Sequence, residues 1–124
     1  MAESVKILVV DDSADTRSVL IFMLNSCGFQ IITAEDGLTG LRMAEAERPD
    51  MIVTDIEMPR LDGIQMIAGL RRQSQFSGVP ILVVSSGSDE VLSAALSAGA
   101  NLALQKPLDF DSFINRVKCL LPVG

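Results

Sequence analysis

The sequence of 124 residues predicts a doubly wound α/β domain, in which one parallel sheet is covered by helices on both faces. Five short runs of aliphatic and β-branched residues alternate with five segments of helical periodicity, and no linker, repeat or low-complexity tract interrupts them. The runs are apolar at consecutive positions, which is typical of parallel strands buried on both faces. Hydrophobic residues make up 48% of the chain, enough for one core at this length.

The predicted strands are short and spread along the chain. They comprise residues 6–10, 30–34, 51–54, 81–84 and 101–105. We expect residues 1–124 to form a single domain, with its core at about residues 5–121.

The predicted helices show in their apolar spacing and in the residues that bound them. In the first helix, Ser13 is a candidate N-cap and Gly28 a candidate stop. Its apolar face comprises Leu20, Met23, Leu24 and Cys27. The same spacing recurs in Leu92, Ala95, Leu96 and Gly99. In the last helix, the stripe expected to pack on the sheet comprises Phe110, Phe113, Ile114, Val117, Leu120 and Leu121.

Charge and composition exclude several classes of function. The chain has a net charge of −6, and its basic residues are scattered apart from Arg71 and Arg72, which disfavours nucleic-acid binding. The absence of histidine excludes His-based zinc sites, Ser-His triads and a phosphohistidine on this chain. Cys27 and Cys119 lack metal-binding spacing, so we expect reduced core thiols. The longest apolar run, residues 19–24, is too short to span a membrane, and no leader precedes the first strand, so we expect a cytoplasmic protein.

Polar side chains follow four of the five predicted strands at the points where the strands end. They are Asp11 and Asp12, then Asp55 and Glu57, then Ser85 and Ser86, and finally Lys106 and Pro107. Taken singly, each suits a helix cap or a turn. Together they should meet at one edge of the sheet, where ligands bind in such folds. Carboxylates gathered there repel one another unless a cation lies among them, and oxygen ligands without His or Cys favour Mg²⁺.

A carboxylate beside Mg²⁺, a hydroxyl and a lysine together indicate phosphoryl transfer. In this interpretation Asp55, which ends the apolar run MIVTD, is the nucleophile. The metal and Lys106 would then offset the charge of the phosphorylated side chain.

The segments KILVVDDS, IVTDIEMPRLDG, PILVVSS and QKPLD resemble, in order and spacing, the signature of response-regulator receiver domains, the CheY-like family. The resemblance covers about residues 5 to 121. It implies a flavodoxin-like strand order of 2-1-3-4-5 and a phosphoprotein in two-component signal transduction. It further implies that Asp55 is the phosphoacceptor, that Asp11 and Asp12 hold Mg²⁺ (or Mn²⁺), and that Ser85 and Lys106 contact the phosphoryl group.

The same resemblance implies the partners. The phosphoryl donor would be a sensor histidine kinase or a histidine phosphotransfer protein. The downstream target would be a protein that binds the surface of the fourth helix, fifth strand and last helix. A receiver of this kind catalyses only its own phosphorylation and dephosphorylation. Pro107 matches the cis-proline turn that directs the lysine toward the site.

Two positions of this chain differ from the usual family pattern, and a third lies where the family itself varies. Ala103 stands where most receivers carry a switch aromatic, three residues before Lys106. Ser86 replaces the usual Ala or Gly and is either a solvated loop serine or a contact to the phosphoryl group. Glu57, at a position that varies in the family, either contacts the metal or water, through its backbone carbonyl or side chain, or is solvated.

Three alternatives remain open on the sequence. MIVTDIEMP loosely imitates the nucleophile strand of a haloacid dehalogenase phosphatase, but that strand opens its domain, whereas here another acidic strand end precedes it. A flavin or nucleotide binder should have a Gly-rich first turn, and this turn reads DDSADT. A receiver that binds its partner with or without phosphorylation is favoured by Ala103.

Overall fold

The computed structural model describes residues 4–121, so the outer parts of the expected domain, 1–3 and 122–124, lie outside the described residues. The strands are β1 (Lys6–Val10), β2 (Gln30–Ala34), β3 (Met51–Thr54), β4 (Ile81–Ser85) and β5 (Leu102–Gln105). The helices are α1 (Ala14–Asn25), α2 (Gly37–Glu47), α3 (Gly63–Arg71), α4 (Asp89–Ala98) and α5 (Phe110–Leu120), with a short 3-10 helix at Ser74–Phe76. All strand pairs are parallel, in the order β2-β1-β3-β4-β5, which confirms the implied topology.

The sheet separates the apolar side chains into two cores, because successive side chains of a strand point to opposite faces. Leu8 and Val10 of β1 join the core under α2, α3 and α4, which contains Met66 and Leu70. Ile7 and Val9 join the core under α1 and α5. Helices therefore cover both faces, as predicted. Within residues 4–121, no helix has the length and apolar character needed to cross a membrane.

Each of the five α-helices is preceded by a capping side chain in the loop that follows a strand. The capping residues are Ser13, Asp36, Asp62, Ser88 and Asp109. The side chain of each accepts a hydrogen bond from a backbone N–H three residues on, which satisfies a donor at the helix start. The bond from Thr39 N–H also lowers the pKa of Asp36. The strand-to-helix loops are consequently well defined at the carboxyl edge of the sheet.

The strand predictions were wrong at two boundaries. β4 extends to Ser85, one residue further than predicted, because its backbone pairs with Gln105 although its side chain is polar. β5 begins at Leu102, one residue later than predicted. Asn101 still bonds to the start of β4, since its N–H donates to Ile81 O at 2.9 Å and its Oδ1 accepts a hydrogen bond of 2.8 Å from the N–H of Ile81.

The prediction for α1 was correct: Leu20 and Leu24 are buried, and Ser13 is the N-cap. Three side chains that were predicted to be in the core are exposed instead. Leu96 is 45% exposed because one residue of helix turns it about 100° away from Ala95, which is buried. Phe110 is 40% exposed at the first residue of α5. Cys119 is exposed, because two residues of helix turn it away from buried Val117; Cys27 is half-buried, and both thiols are free.

Arg71 forms hydrogen bonds with several segments at the edge of the sheet where the strands begin. Its guanidinium donates to the carbonyl oxygens of Gly99 (3.0 Å) and Phe76 (2.6 Å) and to Asn101 Oδ1 (2.9 Å). Burial lowers the pKa of Arg71, whose charge is compensated by these three oxygen acceptors. The end of α3, the 3-10 helix and the start of β5 are thus joined by one side chain.

Replacing Arg71 by methionine should lower the free energy of unfolding by about 2–3 kcal/mol, because partly buried acceptors lose charge-assisted hydrogen bonds. The exposed neighbour Arg72 provides a matched control, and Arg72→Met should change that free energy by less than about 0.5 kcal/mol. Urea unfolding followed by far-ultraviolet circular dichroism measures both, since the chain has no Trp or Tyr. Equal midpoints for the two variants would contradict the assigned role.

Candidate functional site

Three carboxylates meet at the carboxyl edge of the sheet. Asp11, Asp12 and Asp55 each place a carboxylate oxygen within 4.8 Å of the other two. Asp11 follows β1 and Asp55 follows β3, the two adjacent strands at the centre of the sheet. The backbone pairing continues past the strand ends, because Asp55 N–H donates to Val10 O at 2.9 Å and Asp11 N–H to Ala34 O at 3.1 Å. Parallel pairing therefore sets the two acids side by side.

The acids differ in their surroundings. Asp11 is buried, with 1% of its surface exposed. Asp12 is exposed, and Asp55 is intermediate in exposure. Asp11 Oδ1 accepts a hydrogen bond of 2.9 Å from Ser13 N–H, and Arg17 Nη1 donates to the Asp11 carbonyl oxygen at 2.6 Å. Asp55 Oδ1 accepts a bond of 2.6 Å from Ile56 N–H. One oxygen of each inner carboxylate, Asp11 and Asp55, is thus held by a backbone N–H.

Lys106 inserts its ammonium group between the two inner acids. Its Nζ lies 3.3 Å from Asp11 Oδ2 and 3.3 Å from Asp55 Oδ2. The backbone N–H of Lys106 donates to Ser85 O at 2.8 Å, and the Lys106–Pro107 peptide bond is cis, as the family resemblance implied. The lysine is therefore anchored to β4 by its backbone and to the acids by its side chain.

The charges at this site are incompletely balanced. Burial alone would lower the pKa of Lys106, but the neighbouring charges of Asp55 and Asp11 raise it overall. Burial also raises the pKa of Asp11, and the negative charge of Asp55 adds to this, although Ser13 N–H and Lys106 oppose it. The cluster has three carboxylates and one ammonium group, which contacts two of them, so it retains affinity for another cation.

Ser85 lies at the end of β4 and is fully buried. Its Oγ accepts a hydrogen bond of 3.0 Å from the N–H of Gly87. Because a hydroxyl has one proton to donate besides its acceptor lone pairs, the Ser85 hydroxyl can still donate to an incoming oxygen. Ser86, in contrast, is exposed and lines the adjoining groove with Lys106.

The structure does not bring the Glu57 carboxylate into the acidic cluster; Glu57 is exposed. The turn after β3, which contains Glu57, packs closely against Gly63. The sequence analysis did not identify this glycine. A Cβ atom at Gly63 would lie 2.2 Å from the Asp55 carbonyl oxygen, and Gly63 N–H donates to Ile56 O at 2.7 Å. A glycine directly after a capping Asp62 was the available signal, since it permits close approach of two backbones.

The donor set fits a hard divalent cation. Its three side-chain ligands are all carboxylates, and the described residues add neither His nor Cys to the cluster. Mg²⁺ prefers such oxygen ligands and usually keeps several waters, which the exposed side of the site at Asp12 allows. The residues present therefore fit Mg²⁺ at this position.

A groove of about 600 Å³ adjoins the site between α1 and the loop after β5. Its walls are mainly apolar, and Lys106 is one of the residues that line it. The lining residues are Asp15, Thr16, Val19, Leu20, Met23, Ser86, Lys106, Pro107 and Leu108. Val19 is 52% exposed and neighbouring Phe22 is 74% exposed, so α1 presents apolar surface beside the acidic cluster.

Comparison with known proteins gives a consistent family match. The family model for the response regulator receiver domain matches residues 7–118. The transcriptional regulatory protein PrrA of Mycobacterium tuberculosis is 43% identical over 121 residues, which is 95% of this chain and 50% of that protein. The chain thus spans about half the length of this curated relative.

Solved structures agree with the sequence comparison. The chemotaxis response regulator CheY4 of Vibrio cholerae superimposes with a TM-score of 0.89 at 31% identity, covering 96% of this chain and 100% of that one. The receiver domain of the sensor histidine kinase PA1611 of Pseudomonas aeruginosa, solved with a magnesium ion in its active-site cleft, gives a TM-score of 0.89 at 28% identity. That match covers 95% of this chain and 98% of the other.

Proposed function

The chain belongs to the response regulator receiver domain family, and from that premise we propose that a phosphohistidine donor transfers its phosphoryl group to Asp55, which changes the affinity for a protein partner. The contact of Lys106 Nζ with both Asp55 and buried Asp11 is the observation that carries this proposal. It places an accessible carboxylate beside a fixed positive charge and two further acids. A receiver is a signalling domain, and the only reactions that we propose for it are its own phosphorylation and dephosphorylation.

In the proposed reaction, an Asp55 carboxylate oxygen attacks the phosphorus atom of the donor. A P–O bond forms while the P–N bond breaks, and the imidazole nitrogen keeps the electron pair and takes up a proton. Lys106 moves its contact from the carboxylate to a phosphoryl oxygen, where its charge stabilises the developing negative charge. The Ser85 hydroxyl donates a hydrogen bond to another phosphoryl oxygen.

We propose that Asp11, Asp12 and Asp55 hold Mg²⁺, with Mn²⁺ as a substitute, and that the Glu57 backbone carbonyl is a further ligand. When bound, Mg²⁺ neutralises part of the charge of the phosphoryl group. The magnesium in the PA1611 receiver domain supports the choice of ion.

The groove beside the site suits the phosphohistidine protein. It is mainly apolar, adjoins α1 with exposed Val19 and Phe22, and is lined in part by Lys106, which contacts Asp55. A helix carrying the phosphohistidine would pack there with its imidazole near Asp55. We propose a sensor histidine kinase or a histidine phosphotransfer protein as this donor.

We propose that the downstream partner is a protein that binds the surface formed by α4, β5 and α5. Exposed Leu96 and Phe110 support this, because they place apolar side chains on α4 and α5. Relatives such as PrrA are transcriptional regulatory proteins, which favours control of transcription as the output of the whole protein.

A second candidate function is that of a receiver that binds its partner equally well with and without the phosphoryl group. Ala103 favours it, because a methyl group offers few contacts that differ between two states, and a phosphoryl group shifts an equilibrium only by such differences. Partner affinity measured with and without phosphorylation distinguishes the two functions, because it changes in the first and stays the same in the second.

Labelling by acetyl phosphate should require a divalent cation, because the cluster must accept a group of about two negative charges among its carboxylates. Intact-mass spectrometry should show one added phosphoryl group with Mg²⁺ or Mn²⁺, and none when EDTA is in excess. NaCl added in excess EDTA to the same ionic strength provides the control and should give no labelling. Undiminished labelling in EDTA would refute the proposed metal requirement.

A further inference from the structure

We propose that Gln105 is a positioning residue that holds the loop between β4 and α4 in its unphosphorylated conformation, an inference that rests on the function proposed above. Gln105 Nε2 donates a hydrogen bond of 3.0 Å to the carbonyl oxygen of Gly87. Gln105 ends β5 directly before Lys106 and is paired in register with Ser85. Its side chain therefore reaches from the fifth strand to the loop that follows the fourth.

Gly87 is the centre of this loop. Its N–H donates to Ser85 Oγ at 3.0 Å, while its carbonyl accepts from Gln105. A Cβ atom at Gly87 would lie 3.1 Å from Val91 Cγ1 and 3.3 Å from Ser85 Oγ, so the first turn of α4 also packs against it. A displacement of Gly87 consequently moves both the Ser85 hydroxyl and its contact with α4.

The position of Gln105 in β5 explains why this contact matters. Side chains two residues apart lie on the same face of a strand, so Gln105 and Ala103 share the face toward α4. Ala103 packs on the same core as Val91 but contributes only a methyl group. Among residues 4–121, Gln105 supplies the side-chain hydrogen bond that links β5 to loop residues 86–88.

The direction of the effect follows from the contacts. Here Lys106 is paired with Asp55, which is the arrangement before phosphorylation. When the Ser85 hydroxyl approaches a phosphoryl oxygen on Asp55, Gly87 follows through its bond to Ser85 Oγ, and the contact of Gly87 with Gln105 lengthens. The Gln105 bond thus stabilises the loop conformation of the unphosphorylated protein. It lowers the population of the conformation in which Ser85 can contact the phosphoryl group.

Beryllofluoride with Mg²⁺, as an analogue of the aspartyl phosphate, tests this role. Methionine matches the length of glutamine but cannot donate, so Gln105→Met should bind beryllofluoride about two- to fivefold more tightly than wild type, the range for one exposed hydrogen bond. Gln75→Met is the control, because Gln75 is exposed and bonds only to Gln73 among the described contacts. Titrations followed by the amide resonances of residues 85–92 measure these affinities.

A second measurement, made without Mg²⁺ or beryllofluoride, separates positioning from general stability. The Gly87 amide hydrogen should exchange about two- to fivefold faster in Gln105→Met, while the unfolding midpoint stays at the wild-type value. Tighter beryllofluoride binding together with faster Gly87 exchange supports the inference.

Three results would overturn it. Gln105→Met could bind beryllofluoride as the Gln75→Met control does, it could bind more weakly, or its Gly87 exchange could be unchanged. In each case wild type still binds the analogue with Mg²⁺, so the proposed function stands. Failure of wild type itself to bind would overturn the proposed function, and this inference with it.

Discussion

Replacing Asp55 by asparagine is expected to abolish phosphorylation by acetyl phosphate, the largest effect of any single substitution in this chain. The Asn amide is neutral and a poor nucleophile, so no aspartyl phosphate can form at this position. Intact-mass spectrometry with Mg²⁺ present should show only the unmodified mass, whereas wild type gains one phosphoryl group.

The variant should keep its fold, because the Asn oxygen can still accept the hydrogen bond from Ile56 N–H. Asp50→Asn is a matched control at the opposite edge of the sheet, where the Asp50 side chain accepts from Lys6 N–H at 2.8 Å. Its labelling should equal that of wild type. A phosphoryl group on Asp55→Asn, located by fragmentation to Asp11 or Asp12, would show that another carboxylate is the acceptor.

The inner part of the site could be predicted from the sequence because it depends on backbone register. Asp11 and Asp55 each follow a run of buried aliphatic residues, and parallel pairing of β1 with β3 necessarily sets them side by side. Lys106 was found in the same way, from its place after β5. The structure does bring these three side chains together, whereas their roles in phosphorylation stay predictions.

The remaining features depend on side-chain directions that the pattern does not fix. Glu57 lies two residues after Asp55, yet it is exposed and outside the cluster, because the turn after β3 points it toward solvent. Arg17 in α1 contacts the Asp11 carbonyl, and Gln105 in β5 contacts Gly87 in the loop after β4. Both contacts are made by long side chains that have several rotamers. Phe110 is exposed although its spacing suited the core, because helical periodicity does not show where the covering sheet ends.

The sequence prediction also ended β4 one residue too early, at residue 84. Ser85 was placed after β4 because its side chain is polar, but backbone pairing with Gln105 includes it in the strand. Its hydroxyl is therefore held by a strand rather than by a loop, and only the residues from 86 onward are available to move with it. This makes the Gly87 contacts, not the Ser85 backbone, the adjustable part of the site.

Replacing Lys106 by methionine is expected to remove most of the response to phosphorylation while leaving the fold intact. In the proposed reaction the ammonium group leaves Asp55 for the phosphoryl group, so its loss would remove a charge-assisted contact that exists only in the phosphorylated state. Such a contact is worth about 1.5–3 kcal/mol, so the ratio of partner affinities with and without phosphorylation should fall about tenfold or more. The same loss should appear as smaller beryllofluoride-induced shifts in the amides of residues 85–92.

Metal binding should persist in Lys106→Met, because the three carboxylates remain and have lost the cation that competes with Mg²⁺. Added Mg²⁺ should accordingly raise the unfolding temperature of this variant more than that of wild type, since a ligand that binds the folded state stabilises it. Lys118→Met, which removes an exposed lysine from the last turn of α5, should behave as wild type in both measurements. A full response in Lys106→Met would mean that the ammonium group acts before phosphorylation only, by holding Asp55 and Asp11, and that Ser85 alone transmits the change.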